Sequence, residues 1–229
     1  MSNPVFLAAD LTGDTVLLDG PEGRHAALVK RLRVGEAVDL VDGRGTRATG
    51  TISATTRDTV TVDVGSRELE PAPSPRLTVV QALAKGDRGE LAVELCTEVG
   101  VDEVVPWSAS RCIAKWNDKV GQRWASTALE ASKQARRSWF LTVAGVATTE
   151  QVAQLPGQLL VLHEEATTPL SSVALSGDAV LVVGPEGGIA PEELAALGGT
   201  AVRLGPTVLR TSTAGAAAAS VLSSRTGRW

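Results

Sequence analysis

Two short apolar runs near the carboxyl end of this chain each break off at a glycine-bearing loop, and each loop leads into a helical pattern. Ala179–Val183 runs into Gly184-Pro185-Glu186-Gly187-Gly188, and Ala201–Leu204 runs into Gly205-Pro206-Thr207-Val208-Leu209-Arg210-Thr211. Continuous apolar runs of this length suit strands covered on both faces, as in a parallel sheet flanked by helices. In such sheets ligands settle outside the carboxyl ends of the strands. Two loops of this form, rich in backbone groups that no side chain covers, read as a small-molecule pocket. Arg210 is the one charged side chain of the second loop. The first is not a Walker loop, because no Gly-Lys-Ser/Thr follows, and it lacks the Gly-x-Gly-x-x-Gly spacing of dinucleotide sites. A structural turn would explain Gly184–Gly188 taken alone; its pairing with the Gly205–Arg210 loop favours a ligand.

The rest of the chain divides in two. From Leu77 onward, strands and helices alternate. Leu77–Ala82, Val101–Pro106 and Leu159–His163 read as strands. Gly89–Val99 reads as a helix with Leu91, Leu95 and Val99 on one face, and Arg123–Arg136 and Ala214–Leu222 as two more. Pro191 with Glu192 and Glu193 opens a further helix, since proline suits the first turn and acids complement its dipole. This order predicts an α/β domain with a mainly parallel sheet and helices on both faces. Residues 1–70 instead hold short β-rich runs, Val5–Leu7, Thr15–Leu18, Ala37–Val41, Arg47–Ile52 and Thr59–Val64, separated by turns such as Gly43-Arg44-Gly45. Only His25–Arg33 reads as a helix there, with Leu28 and Leu32 on one face. The pattern predicts a small β-barrel. Pro71-Ala72-Pro73-Ser74-Pro75 is a stiff linker, so the expected domains are 1–72 and 73–229.

Hydrophobic content of 43 % and charged content of 21 % fit a globular chain able to bury a core. No apolar run approaches the ~20 residues of a membrane helix, and the first residues lack a signal-peptide pattern; a cytoplasmic protein is expected. Cys96 and Cys112 read as buried free thiols. With two histidines, His25 and His163, too few nitrogen and sulfur ligands cluster for a metal site. His163 falls on the same sheet edge as the two loops, as either a structural hydrogen-bonder or a catalyst. The net charge of −4 argues against a general nucleic-acid coat protein. Yet residues 110–140 hold Arg111, Lys115, Lys119, Arg123, Lys133, Arg136 and Arg137 against Asp118 and Glu130. A basic face of this kind holds a polyanion, or is simply a solvated helix face. Trp107, Trp116, Trp124 and Trp139 lie in and beside that stretch and read as core.

Together these residues resemble one family, the bacterial small-subunit ribosomal RNA uridine N3-methyltransferases (the RsmE family) of the SPOUT superfamily. The resemblance is carried by Gly184-Pro185-Glu186-Gly187-Gly188 with Pro191-Glu192-Glu193-Leu194, and by Leu204-Gly205-x-x-x-Leu209-Arg210-Thr211-x-Thr213-Ala214. Upstream, the His25…Arg31-x-Arg33-x-Gly35-Glu36 segment, Lys85-Gly86-Asp87, Pro106-Trp107-x-x-x-Arg111 and Arg123-Trp124…Glu130-Ala131-x-x-Gln134 extend it over nearly the whole chain. Two positions depart from the family pattern. Ser212 stands where a glutamate is common, and Ala190 where serine or threonine would cap the next helix.

The resemblance implies a PUA-like β-barrel for RNA recognition and a methyltransferase domain whose C-terminal chain threads a trefoil knot. It implies S-adenosylmethionine as cofactor, a uridine of 16S RNA in the small ribosomal subunit as substrate, and a homodimer, with no membrane or metal. It assigns the cofactor to Leu162, His163, Glu164, Gly184, Pro185, Glu186, Gly187, Gly188, Leu204, Gly205, Val208, Leu209, Arg210, Thr213 and Ala214. Arg210 would stabilise charge, and Glu164, Glu186 or Glu130 would take the uracil proton; the choice among the three stays open. Phosphates would fall to Arg24, Lys30, Arg31, Arg33, Lys85, Arg111, Lys115, Lys133, Arg136 and Arg137. Two rivals are methylation of a ribose 2′-oxygen or another base, and a non-catalytic RNA-binding assembly factor.

Overall fold

The computed structural model describes residues 3–229, which separate into two compact units. Of the described residues, unit one takes 3–72 together with Lys133–Phe140, and unit two takes Pro73–Ser132 with Leu141–Trp229. Among the described residues no helix is long and apolar enough to cross a membrane.

Unit one is a five-stranded sheet. Its strands are β1 (Val5–Leu7), β2 (Thr15–Leu18), β3 (Ala37–Val41), β4 (Thr46–Thr55) and β5 (Val60–Leu69), ordered β1-β3-β4-β5-β2. Alternating side chains build most of its core: Val38 and Leu40, then Val60 and Val62, are fully buried with Phe6, Leu18 and Ile52. Each such burial contributes about 1.5–3 kcal/mol against conformational entropy. Register shifts in the β4–β5 pair at Thr49/Gly50 and Ile52/Ala54 bend the sheet around this core. Gly43-Arg44-Gly45 is the turn between β3 and β4, as its glycines suggest.

The helical segment differs from expectation. It begins earlier, as α1 (Gly20–Arg24), continues as a π-helical turn over His25–Val29, and stops at Lys30. The Lys30 N–H reaches the His25 carbonyl five residues back, at 2.9 Å. That wider turn rotates the buried face, so Ala26 is buried while Leu28 is 50 % exposed. Leu32 reaches the core from beyond the helix.

Unit two is a six-stranded sheet: β6 (Leu77–Ala82), β7 (Glu103–Trp107), β8 (Thr142–Val143), β9 (Gln158–Leu162), β10 (Ala179–Val183) and β11 (Thr200–Val202). The order is β11-β9-β10-β6-β7-β8 and every pairing is parallel. Alternate residues feed two cores, one on each face. Val79, Leu160 and Leu181 join Val93, Cys96, Trp124 and Leu222; Val80, Val161 and Val182 join Trp107, Val152 and Leu197. Burial on both faces explains the uninterrupted apolar runs. The helices are α2 (Arg88–Glu98), α3 (Asp118–Gln134), α4 (Thr149–Val152), α5 (Pro191–Leu197) and α6 (Thr211–Thr226). The short β8 and α4 carry too little pattern to be read from sequence.

The buried face of α2 is Gly89, Ala92, Val93 and Cys96, not the Leu91–Leu95–Val99 stripe; Leu91 is 41 % exposed. Close approach decides this. A Cβ at Gly89 would sit 2.5 Å from Trp124, and one at Gly215 of α6 would sit 2.9 Å from Val79 Cγ1 and 3.4 Å from Cys96 Sγ. Small residues therefore face the packed side, and leucine is displaced outward. Of the two free cysteines only Cys96 is fully buried, and burial pushes its thiol up to about 12.

Gly215→Val should be one of the more damaging changes to this sheet. Overpacking against Val79 costs on the order of 1–3 kcal/mol, or a Tm lower by roughly 2–4 °C per kcal/mol for a chain of this size. A melting curve that matches the unmodified protein would show that α6 is not held this close.

Candidate functional site

The register of unit two sets three strand ends level. Val183 of β10 lies opposite Leu162 of β9, and Val202 of β11 lies opposite Leu162 from the other side. The loops that leave these ends bound a cavity of about 920 Å³. Leu162, His163 and Glu164 contribute from β9, Val183–Ile189 from β10, Val202–Arg210 from β11, and Thr211 and Ala214 from the start of α6.

The first glycine loop is a tight turn. The Gly188 N–H donates to the Pro185 carbonyl at 2.9 Å, and Gly188 has φ +73°, a left-handed conformation that favours glycine. A Cβ at Gly184 would come within 2.6 Å of Ile189 Cγ1, so the chain turns back over that side chain only because Gly184 has none. Two arginines of the cavity lining strap the loop. Arg111 Nη1 donates to the Gly187 carbonyl at 3.0 Å, and Arg88 Nη1 lies 3.3 Å from Glu186 Oε1.

Glu193 anchors the start of α5, directly after this loop. Its carboxylate accepts from the Ser110 N–H and hydroxyl, both at 2.8 Å, from the Thr149 hydroxyl at 3.1 Å, and from the Ala190 N–H at 3.4 Å. Ala190 has no side-chain acceptor, so only this returning half of a capping box exists: Glu193 satisfies the Ala190 N–H, and the acceptor that a serine cap would offer the Glu193 N–H is missing. Burial pushes the Glu193 carboxyl up, but the donors from Ser110, Thr149 and Ala190 together outweigh it and hold the group below its ordinary value.

The second loop is open. Val208 is 77 % exposed, and a Cβ at Gly205 would meet nothing within 4 Å. Arg210 ends the loop in extended conformation, and its carbonyl accepts from the Thr213 and Ala214 N–H groups, both at 3.0 Å, to start α6. Its guanidinium is exposed and forms no ion pair among the described residues. Beside it, the buried Thr211 hydroxyl has no hydrogen-bond partner among the described residues. Buried polar groups are nearly always satisfied, so this one is a candidate ligand contact. The His163 backbone N–H donates to the Val202 carbonyl at 2.9 Å, and the ring Nδ1 accepts from the Glu165 N–H at 3.3 Å.

Most sequence-selected positions thus meet in one place. Leu162, His163, Glu164, Gly184–Gly188, Leu204, Gly205, Val208, Leu209, Arg210 and Ala214 all line the cavity. Thr213 does not; its hydroxyl folds back to the Arg210 carbonyl at 3.2 Å. Glu130 does not either, because α3 turns it outward, opposite its buried Trp124, Ala128 and Ala131. Arg111 joins the cavity rather than a separate phosphate surface. Lys85 and Lys115 are exposed outside the lining. Ser212 is buried at 3 % exposure, so the departure there changes the interior of α6 and not the cavity wall.

In unit one, Arg24, Lys30, Arg31, Arg33 and Arg136 are exposed. Arg137 is half-buried, its Nε donating to the Trp139 carbonyl at 2.7 Å. Lys133 leaves the phosphate set: its buried ammonium sits 2.6 Å from Glu22 Oε1. Arg88, Thr211 and Glu193 are not among the site residues selected from the sequence, although Glu193 stands in an acidic, proline-led helix start and Thr211 in the second loop motif.

An RNA methyltransferase domain family matches residues 70–223, and an RNA methyltransferase PUA domain family matches residues 18–65. The ribosomal RNA small subunit methyltransferase E of Mycobacterium tuberculosis is 45 % identical over 95 % of this chain and 89 % of its own length. The protein of that name from Neisseria gonorrhoeae, solved bound to S-adenosyl methionine, superposes with a TM-score of 0.88 at 25 % identity, covering 98 % of both chains. A Legionella pneumophila protein solved with bound SAM gives 0.89 at 26 % identity, again over 98 % of each chain.

Glu193→Gln tests how the first loop is anchored. The folded protein binds fewer protons at Glu193 than the unfolded chain does. This stabilisation is therefore complete above the ordinary value of 4.5 and is lost as pH falls through the lower folded value. The variant should lose about 1–3 kcal/mol at neutral pH and show a flatter fall of Tm on acidification below pH 4.5. An unchanged acid limb would mean that Glu193 does not carry that dependence.

Proposed function

Because this chain belongs to the ribosomal RNA small subunit methyltransferase E family, we propose that it transfers a methyl group from S-adenosylmethionine to N3 of a uridine in 16S RNA. The observation that carries the reading is the cavity at three level strand ends, with the unpartnered Thr211 hydroxyl and the free Arg210 guanidinium on its wall. About 920 Å³ lies within the range of cofactor pockets. The bare backbone at Gly205 and the orphaned hydroxyl fit an adenosine with its amino-acid tail. When bound, S-adenosylmethionine supplies an electrophilic methyl group on a sulfonium.

The protein's own groups do the rest. Uracil N3 carries a proton and is a poor nucleophile until that proton leaves. Glu164 lines the cavity, is exposed and is the carboxylate best placed to accept it. Glu186 is already engaged by Arg88, and Glu130 lies off the cavity. Arg210 stays protonated and cannot be the base; it opposes the negative charge that develops on the uracil. Backbone groups of Leu162–Glu164, Gly184–Gly188 and Leu204–Leu209 hold and orient the adenosyl group. The exposed cations of unit one hold RNA phosphates. The substrate places the protein in the cytoplasm. A homodimer follows from the family alone: the Ala214–Ala219 stretch is largely buried within its own unit, with Ala218 and Ala219 fully covered, and gives a dimer no separate support.

Mass spectrometry of 16S RNA incubated with the protein and isotope-labelled S-adenosylmethionine should show one labelled 3-methyluridine. Label on a ribose oxygen or another base would transfer the reading to a different methylation, and no label would leave a binding factor. Arg210→Ala should slow single turnover at saturating cofactor on the order of a hundredfold or more, with cofactor affinity little changed. A fall in affinity that excess cofactor repairs would make Arg210 an anchor instead.

A further inference from the structure

Unit one contains a second cavity, of about 240 Å³, bounded by the start of β1, the π-helical turn and the Lys133–Phe140 segment. Pro4, Val5 and Phe6 form an apolar wall, and His25 meets Phe6 edge-on with ring centroids 5.9 Å apart. The polar lining is basic: Lys30, Lys133 and Arg136 with the Gln134 amide, and no carboxylate among the described residues. Lys133 is neutralised by Glu22, whose second oxygen accepts from the Leu7 N–H at 3.1 Å. Lys30 and Arg136 form no ion pair among the described residues, so they set the charge of the cavity.

The backbone adds an independent observation. Among the described residues, Arg31 at φ +54° and Arg136 at φ +55° are the only non-glycine residues in left-handed conformation. Each closes a helical segment. Leu32 N–H returns to the Ala26 carbonyl at 3.1 Å across Arg31, and the Arg136 N–H returns to the Lys133 carbonyl at 3.0 Å. Glycine dominates such positions because a Cβ is strained there. Arg136 is held in place nonetheless, its carbonyl accepting from Arg47 Nη2 at 2.7 Å. Strain retained where glycine would relieve it marks a side chain kept for another purpose. A cation at a helix carboxyl end also complements the dipole; on that account the arginine serves stability, and its loss would lower the melting temperature.

We propose that this cavity takes one nucleotide of single-stranded RNA, with Lys30 and Arg136 on its phosphate and Pro4, Val5 and His25 against its sugar and base. The cavity is smaller than the ~300 Å³ at which free small-molecule sites begin, which suits one unit of a polymer. This rests on the reading of the substrate as RNA.

The test measures Tm and binding to a 16S RNA transcript at several salt concentrations, in the full chain. Arg136→Gly should raise Tm by about 2–4 °C through relief of the strained backbone, and weaken RNA binding about three- to tenfold. The salt slope should fall by about one. Arg136→Lys should keep most of the affinity. Lys30→Ala, at an exposed position, should weaken binding similarly with no change in Tm. A lower Tm with unaltered RNA affinity in Arg136→Gly would overturn the proposal in favour of the dipole account. So would inorganic phosphate displacing the RNA at low millimolar concentration, because the site would then be a simple anion site. Wild-type protein that methylates 16S RNA while both variants bind it normally defeats the cavity assignment alone. Wild-type protein that transfers no methyl group to 16S RNA defeats the proposed function, and the cavity's ligand with it.

Discussion

Parallel pairing of β9 with β10 and β11 is the constraint on which the site depends. In an all-parallel arrangement every carboxyl end falls on one edge, and the observed register brings Leu162, Val183 and Val202 to the same level. The three loops that leave these ends then open side by side. A shift of one residue in any of these strands would exchange the two faces as well as the ends, burying the wrong side chains. The two apolar cores, one per face, therefore hold the register and the cavity together. Val79, Leu160 and Leu181 pack on one side and Val80, Val161 and Val182 on the other.

On that platform the loops are held by unlike means. The Gly184–Gly188 turn is clasped by Arg111 and Arg88 and tied below by Glu193, so it meets a ligand already formed. The Gly205–Arg210 loop has few such ties and much exposed apolar surface at Val208 and Leu209. Arg210 closes the second loop: its backbone starts α6 while its guanidinium stays exposed.

Much of this is legible in the sequence because the physics is local. Apolar runs such as Leu77–Ala82 and Ala179–Val183 are buried on both faces and match the observed strands end to end. The strand–glycine–helix succession marks most of the pocket residues by itself. Features set by distant neighbours leave no such mark. The packed face of α2 is decided by the closeness of Trp124 and Gly215, which favours glycine, alanine and cysteine over the leucine stripe. The π-helical turn rotates Leu28 outward. Arg88 and Arg111 look like ordinary surface cations until the fold brings them to Glu186 and Gly187. Lys133 looks like one too, and lies buried against Glu22, 111 residues away in sequence.

A crystal structure of the protein with S-adenosylmethionine tests the central claim most directly. The adenosyl group should lie against Leu162–Glu164, Gly184–Gly188 and Leu204–Leu209, with the Thr211 hydroxyl engaged and the methyl-bearing sulfur open towards Arg210. An adenosyl group seated on residues 1–72, or a Thr211 hydroxyl still without a partner beside a bound cofactor, would contradict it.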